Sequence, residues 1–328
     1  MSYSPNNTSS CLVIGGGISG LIIATILQRN GIKTTVLDKG RGIGGRLATR
    51  RIKEGVFDYG AQYFSVSKPQ FQEWVDEWIE AGIVTQWCQK FVSEDNAKPR
   101  YRGIVSNRNI AKYLAKDLDV HTSTKVTKLK YHNSQWLVNT ETGDRFSGES
   151  LVMTPPVPQT LTLLDNSQIT IPSTIKTALE RITYDKCIAV LALLSQSSTI
   201  PSPGGIQLDN EPLVWIADNY QKGISPDYAV TLHATPQFSE THYLSDDETI
   251  AKLLFDAASD WLNDSVIEYQ VHRWRYSLVR TFYHQPYCAL SELPLVIAGD
   301  AFVAPKIEGA VLSAIAASDY LLKLLHKS

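Results

Sequence analysis

The sequence predicts an α/β fold, with a parallel sheet in one domain and a mixed sheet in a second. Three observations predict it. An apolar run at 11–14 ends in Gly15-Gly16-Gly17-Ile18-Ser19-Gly20 and is followed by an apolar stretch at 21–27. A second strand-like stretch, Lys33 to Leu37, leads into Asp38. Far along the chain, Leu295-Val296-Ile297-Ala298-Gly299-Asp300 again has a strand closing on an acid.

The first segment reads as strand, tight turn and helix, the order of a Rossmann-type unit. Gly15 allows the sharp turn, Gly17 lets a pyrophosphate approach the backbone, and Gly20 lets the helix lie close on the sheet. Unpaired N–H groups at the helix start then face the phosphates. Asn30-Gly31 ends the helix. Asp38 lies 18 residues after Gly20, where a carboxylate accepts hydrogen bonds from ribose hydroxyls. An acid there suits an unphosphorylated ribose, so the dinucleotide is NAD or FAD rather than NADP. The plain alternative is a βαβ turn without ligand. Residues 39–46 repeat the glycine spacing, but no new strand precedes them and no apolar helix follows. They read as a glycine-rich loop with Arg41 and Arg46 in reach of phosphate, or as a solvated basic loop.

The remaining elements follow from periodicity. Phe71, Trp74, Val75, Trp78 and Ile79 recur at helical spacing, a packing stripe. Residues 109–118 read as a helix, and 120–130 and 135–141 as strands separated by a turn at 132–134. Residues 151–153 form a strand stopped by Thr154-Pro155-Pro156. Strands are expected at 189–194, 213–217 and 229–234. A helix is expected at 246–262, capped by Ser245 with Glu248 three residues on. The last apolar run to Leu325 is helical. Residues 1–10 read as a frayed tail rather than a signal or transit peptide.

Composition narrows the function. The chain has 328 residues, enough for about two domains, with 43% apolar content and a net charge of −2. No long basic block occurs, which argues against nucleic acid or an anionic membrane as partner. No apolar run approaches the length of a bilayer span. The cysteines Cys11, Cys88, Cys187 and Cys288 form no Cys-x-x-Cys pair, which fits a reducing, cytoplasmic compartment. The seven histidines show no metal-ligand spacing, so no metal is expected. Oligomeric state is left open.

The paired glycine motifs, Asp58-Tyr59-Gly60-Ala61-Gln62-Tyr63-Phe64 and the 295–300 strand with Lys306-Ile307-Glu308-Gly309-Ala310 resemble the flavin amine oxidases. More narrowly, with Leu232-His233-Ala234-Thr235 and His272-Arg273-Trp274-Arg275-Tyr276, the chain resembles the renalase branch over nearly its whole length. The resemblance implies a discontinuous Rossmann-type FAD-binding domain at 1–65, 105–158 and 291–328. A mixed-sheet substrate domain, p-hydroxybenzoate hydroxylase-like or amine oxidase-like, takes 66–104 and 159–290. It implies non-covalent FAD held by Ile14, Gly15, Gly17, Ile18, Ser19 and Gly20, then by Asp38, Lys39, Arg41, Gly44, Gly45 and Arg46. Gly60, Ala61, Gln62 and Tyr63 run past the isoalloxazine, and Val126, Thr154 and Pro155 lie on the adenosine side. Gly299, Asp300, Glu308, Gly309, Ala310 and Ser313 complete the set. The implied activity is hydride transfer from a dihydronicotinamide, NAD(P)H or its 2- and 6-dihydro isomers, to flavin N5, with O2 as acceptor giving hydrogen peroxide. An amine oxidase or desaturase-like enzyme stays open, as does a non-catalytic binding protein on the same scaffold.

Candidate catalytic and pocket residues are aromatic or weakly basic. Tyr63, Trp215, Trp274 and Tyr276 are expected to wall an apolar pocket. His233 either hydrogen-bonds substrate, shuttles a proton or is a core histidine. Arg273 and Arg275 share one strand face and Trp274 the other; an arginine there binds a substrate anion or an exposed acid. Lys306 is a candidate near flavin N5. Asp300, costly to bury unpartnered, is expected to meet cofactor hydroxyls.

Overall fold

The computed structural model describes residues 8–92, 97–263, 265–290 and 292–325. The chain divides into two compact units. The first comprises Met1–Gly45, Ala111–Thr183 and Val279–Ser328; the second comprises Arg46–Ile110 and Tyr184–Leu278. Segment 46–65, grouped with the nucleotide domain in the sequence reading, packs within the second unit.

The first unit is built on a sheet of eight strands among the described residues. Its order is Cys288–Ala289, Leu295–Ile297, Arg145–Met153, Thr8–Ile14, Thr34–Leu37 and Asp119–His121, with the hairpin Val126–His132 and Gln135–Thr140 joined to Arg145–Met153. The strands from Leu295–Ile297 to Asp119–His121 run parallel. Strand Thr34–Leu37 is buried at every position, as expected of a parallel strand covered on both faces. Helix Ile18–Arg29 has nine buried residues, too many for one stripe. Its other flank meets helix Ile307–Leu325, where Ser19 Oγ donates to the Ala310 carbonyl at 3.0 Å.

Several local expectations are corrected. Residues 8–10, expected in a tail, begin the first strand, because their backbone continues the ladder to Arg145–Met153; residues 1–7 lie outside the described residues. The single strand expected at 120–130 is two, Asp119–His121 and Val126–His132. Ser123 at φ 53° breaks the extended backbone between them. The helix expected at 109–118 is Arg108–Leu114 followed by turns.

The second unit carries a five-stranded sheet in the order Gly205–Asn210, Leu213–Asp218, Ala229–Ala234, Tyr184–Leu194 and Val266–Val279. Hairpins Thr49–Ile52 with Gly55–Asp58 and Val84–Cys88 with Arg100–Gly103 belong to it. Alternation decides what each face does. Val230, Leu232 and Ala234 join Ile188, Val190, Ile216, Ile250 and Leu254 in one apolar core. Ala229, Thr231 and His233 take the opposite face, with Trp215 paired to His233 across the strands. The helix expected at 246–262 breaks at Ala258 into Asp247–Ala257 and Ser259–Leu262. Its cap is Asp246 rather than Ser245, since Asp246 Oδ1 accepts from Thr249 N at 2.8 Å. In helix Pro69–Glu80, Phe71, Trp74, Val75 and Trp78 are buried, but Ile79 is 42% exposed, off the stripe's centre. Among the described residues no helix is long and apolar enough to cross a membrane.

Candidate active site

In the first unit the two glycine motifs fold onto each other. Gly44 N donates to the Gly16 carbonyl at 2.8 Å, and Gly17 and Gly44 form a parallel bridge. Asp38 ties the arrangement together. Its Oδ2 accepts from Gly16 N at 2.5 Å and its Oδ1 from Gly40 N at 2.6 Å. Thr154 closes the other side, with Oγ1 donating to the Ile14 carbonyl at 3.0 Å. Pro155 follows it. Gly15, at φ 106°, makes the turn that a side chain would strain.

This cradle fits an anionic dinucleotide. Helix Ile18–Arg29 begins at Gly17 with no side-chain cap and no acid in its first turn. Its first N–H groups are therefore left to an outside acceptor. A Cβ on Gly17 would meet nothing within 4 Å, so the approach to them is open. Gly45 lies against it, its Cβ position 3.5 Å from Gly17 Cα. Arg41 is exposed beside the cradle, and Lys39 Nζ is held by Gln159 Oε1 at 2.8 Å. Val126 lies two residues beyond Thr124, whose N–H donates to the Asp38 carbonyl at 2.8 Å.

The last strand and helix supply a second group in the same unit. Gly299 N donates to Ser313 Oγ at 2.9 Å, and Asp300 follows, 9% exposed. Lys306 Nζ pairs with Glu308 Oε2 at 2.9 Å; the lysine is half-exposed and the glutamate is buried. Gly309 packs against backbone, its Cβ position 2.1 Å from the Ala304 carbonyl oxygen.

In the second unit, the sheet face carrying His233 is aromatic and weakly polar. Tyr59 stacks on Trp274, with ring centroids 5.2 Å apart and planes at 24°. His272 meets both rings edge-on at 4.8 and 4.5 Å. The Tyr59 carbonyl accepts from Trp274 Nε1 at 2.9 Å and contacts His233 Nε2 at 3.1 Å. A carbonyl only accepts, so Nε2 carries the His233 proton and Nδ1 is left as an acceptor. Burial pushes His233 down to about 4, aided by the charge of Lys222. His272 is likewise pushed down to about 4 by burial and the charges of Arg50 and Arg273. Both rings are neutral at pH 7.

Tyr63 belongs to a different cluster, with Phe91 at 5.0 Å, Trp215 at 5.4 Å and Trp87 at 6.4 Å. The Trp215 indole N–H is buried there with no hydrogen-bond acceptor among the described residues. Tyr276 packs edge-on against Tyr184 at 5.5 Å. Tyr63 and Trp215 thus share one ring cluster, while Trp274 and Tyr276 pack against Tyr59 and Tyr184. The segment before Tyr63 is tightly fixed. Ala61 N donates to the Arg46 carbonyl at 2.8 Å, and a Cβ on Gly60 would lie 2.1 Å from that oxygen. Gln62 Nε2 donates to the Asp58 carbonyl at 2.7 Å. The Arg46 side chain donates from Nη1 to the Ser277 carbonyl at 3.1 Å. Arg273 clamps backbone and an acid, donating to the Tyr243 and Ser245 carbonyls at 3.0 and 2.7 Å and pairing with Asp247 at 2.7 Å. That favours the ion-pair reading of Arg273.

Comparison with known proteins decides the family. A model of flavin-containing amine oxidoreductases matches residues 84–322, after an NAD(P)-binding Rossmann-like domain at 13–78. The chain belongs to the flavin-containing amine oxidoreductase family. It is an FAD-dependent oxidoreductase. Mouse (Mus musculus) renalase is 23% identical over 97% of this chain and 100% of its own length. Among solved structures, putrescine oxidase bound to putrescine superposes with a TM-score of 0.72 at 12% identity, covering 96% of this chain and 99% of that one. A double mutant of putrescine oxidase with redesigned cofactor binding gives 0.73 at 12% identity, again over 96% and 99%. As in any member of this family, the cofactor carries the redox chemistry and the protein orients and tunes it.

Sequence reasoning passed over Tyr59, His272 and Lys222. Tyr59 and His272 stood inside quoted motifs. Lys222 has no local signal, since its partner Asp58 lies 164 residues away.

Proposed function

We propose that this oxidoreductase oxidises a dihydronicotinamide, NAD(P)H or its 2- and 6-dihydro isomers. FAD, when bound, supplies the hydride acceptor at N5, and O2 takes the electron pair as hydrogen peroxide. The cradle of the first unit supports FAD over NADP, because Asp38 presents a carboxylate at the ribose end of the second strand.

The observation that carries the substrate reading is the charge around the aromatic face. Arg50 lies 5.1 Å over the Tyr59 ring and Arg100 lies 5.5 Å over Tyr63. An amine substrate arrives as an ammonium ion, which these cations disfavour; a phosphate-bearing dinucleotide is attracted. Neutral His233 offers Nδ1 to a carboxamide N–H, and the stacked Tyr59 and Trp274 rings suit a planar heterocycle. Oxidation of a dihydropyridine needs no base. A histidine near 4 is far from the pKa a proton shuttle needs at neutral pH, so His233 acts as an acceptor. FAD is held without a covalent bond: the thiols of Cys11 and Cys187, pushed up to about 12 by burial, are unsuited to attachment.

The test is anaerobic titration of the purified flavoprotein with ordinary NAD(P)H and with the 2- and 6-dihydro isomers. Bleaching of the flavin band by the dihydronicotinamides, and peroxide on readmitting O2, is the expected result. Turnover of amines with none of dihydronicotinamides overturns the reading.

A further inference from the structure

Asp58 and Lys222 form an ion pair at 2.9 Å with both side chains wholly excluded from solvent. A buried pair of this kind adds little net stability, because desolvation offsets the attraction. Its surroundings point to another role. Asp58 Oδ1 accepts from Thr49 Oγ1 at 2.6 Å, Oδ2 accepts from Lys222 Nζ, and Asn107 N lies 3.2 and 3.3 Å from the two oxygens. Asn107 in turn donates from Nδ2 to the Ala61 carbonyl at 2.7 Å. The Asp58 carbonyl accepts from Thr231 Oγ1 at 3.0 Å as well as from Gln62. Several anchors of the 58–62 turn thus converge on Asp58 and Asn107, beside those from Arg46, His233 and Trp274.

Lys222 ties this turn to the aromatic cluster. Its backbone N–H is fixed by the Asp218 carbonyl at 2.9 Å, and its ammonium sits 5.2 Å over the Trp87 ring. Trp87 touches Tyr63, Phe91 and Trp215. The other charged or titratable groups facing the pair are Arg102 and His233. Burial pulls the Lys222 ammonium below its ordinary pKa, Asp58 opposes this, and Arg102 adds to it.

We propose that Lys222 is a positioning residue: clamped between the Asp58 carboxylate and the Trp87 ring, it sets the conformation of the 59–63 segment and the Tyr63 ring for the bound flavin. The inference rests on the reading that this segment borders the flavin.

The experiment compares Lys222→Met, Asp58→Asn and the double variant as FAD-loaded proteins. Thermal midpoint, visible circular dichroism of the flavin and its rate of reduction are measured. Each single variant leaves a buried group uncompensated and is expected to lower the midpoint by about 5 °C or more. The double variant removes both charges and recovers most of that loss. Its flavin dichroism stays altered, and reduction stays about 10- to 100-fold slower, as a misplaced segment requires. A double variant with wild-type dichroism and rate overturns the proposal and leaves the pair a purely structural one. Trp87→Leu keeps the ion pair and removes only the ring beneath the ammonium. It is expected to shift the dichroism in the same direction, and a wild-type signal there also overturns the proposal. The dichroism needs no electron donor, so it is readable even if dihydronicotinamides prove inactive.

Discussion

Gly17 and Gly20 sit three residues apart in one motif, yet alanine at each is expected to fail differently. At Gly17 the backbone has φ −77° and ψ 177°, which alanine adopts freely, and a Cβ would meet no atom within 4 Å. The cofactor-free Gly17→Ala protein should therefore be as stable as wild type or gain up to about 1 kcal/mol from a stiffer unfolded chain. The new methyl stands where a pyrophosphate must approach the helix N-terminus. Losing one charge-assisted N–H bond costs about 1.5–3 kcal/mol, or roughly 10- to 150-fold in FAD affinity. At Gly20 the Cβ would lie 2.0 Å from the Gly15 carbonyl oxygen and 3.0 Å from Thr154 Oγ1. An ordinary carbon–oxygen contact is more than ~1 Å longer than the first, so the turn or helix must move, at about 1–3 kcal/mol of stability even without cofactor. Denaturant melts of the FAD-stripped proteins and flavin fluorescence titrations separate the two effects. Wild-type FAD affinity in Gly17→Ala, or equal destabilisation of both stripped variants, would refute this account of the cradle.

Asp38→Ala removes the acceptor of both the Gly16 and Gly40 N–H groups; the stripped protein should lose about 1–3 kcal/mol and bind FAD poorly, read by the same melts and titrations. Trp274→Phe keeps an apolar ring against Tyr59 but deletes the bond to its carbonyl. FAD content should be unchanged and dihydronicotinamide reduction slower, as stopped-flow bleaching would show. The folded-state pKa of His233 is depressed from 6.5 to about 4, so the stability it contributes is present above about pH 6.5 and lost as pH falls through 4. The full loss is about 3 kcal/mol. His233→Gln should flatten the stability profile between pH 6.5 and 4 relative to wild type, checked by urea denaturation; parallel profiles would refute a neutral buried histidine.

The nucleotide cradle was legible because its causes are local. A strand, three glycines, a helix and an acid at the next strand's end each leave a mark within 30 residues, and the structure places Gly15, Gly17, Gly20 and Asp38 together as the spacing requires. The strand expected at 229–234, which carries His233, likewise forms with those bounds, Ala229–Ala234. What escaped was set by distant partners. Lys222 looks like a solvated turn lysine until Asp58 meets it. Asp246 outcompetes Ser245 as the cap because the chain enters the helix one residue later than expected. The ring partners of Tyr63 and Trp274 were equally out of view, Trp215 for the first and Tyr59 for the second.

The path of the chain also governs when the cradle can be assembled. Helix Ile18–Arg29 is synthesised long before Ile307–Leu325, which meets one of its flanks through contacts such as Ser19 to Ala310. Strand Leu295–Ile297, which lies beside Arg145–Met153 in the same sheet, is also late. The second unit has all of its residues once Leu278 has been added. On the ribosome, then, the sheet bearing His233 has everything it needs to fold while the dinucleotide cradle still lacks a strand and its covering helix. A nascent chain stalled before Ile307 lacks that covering helix and is expected to hold no FAD.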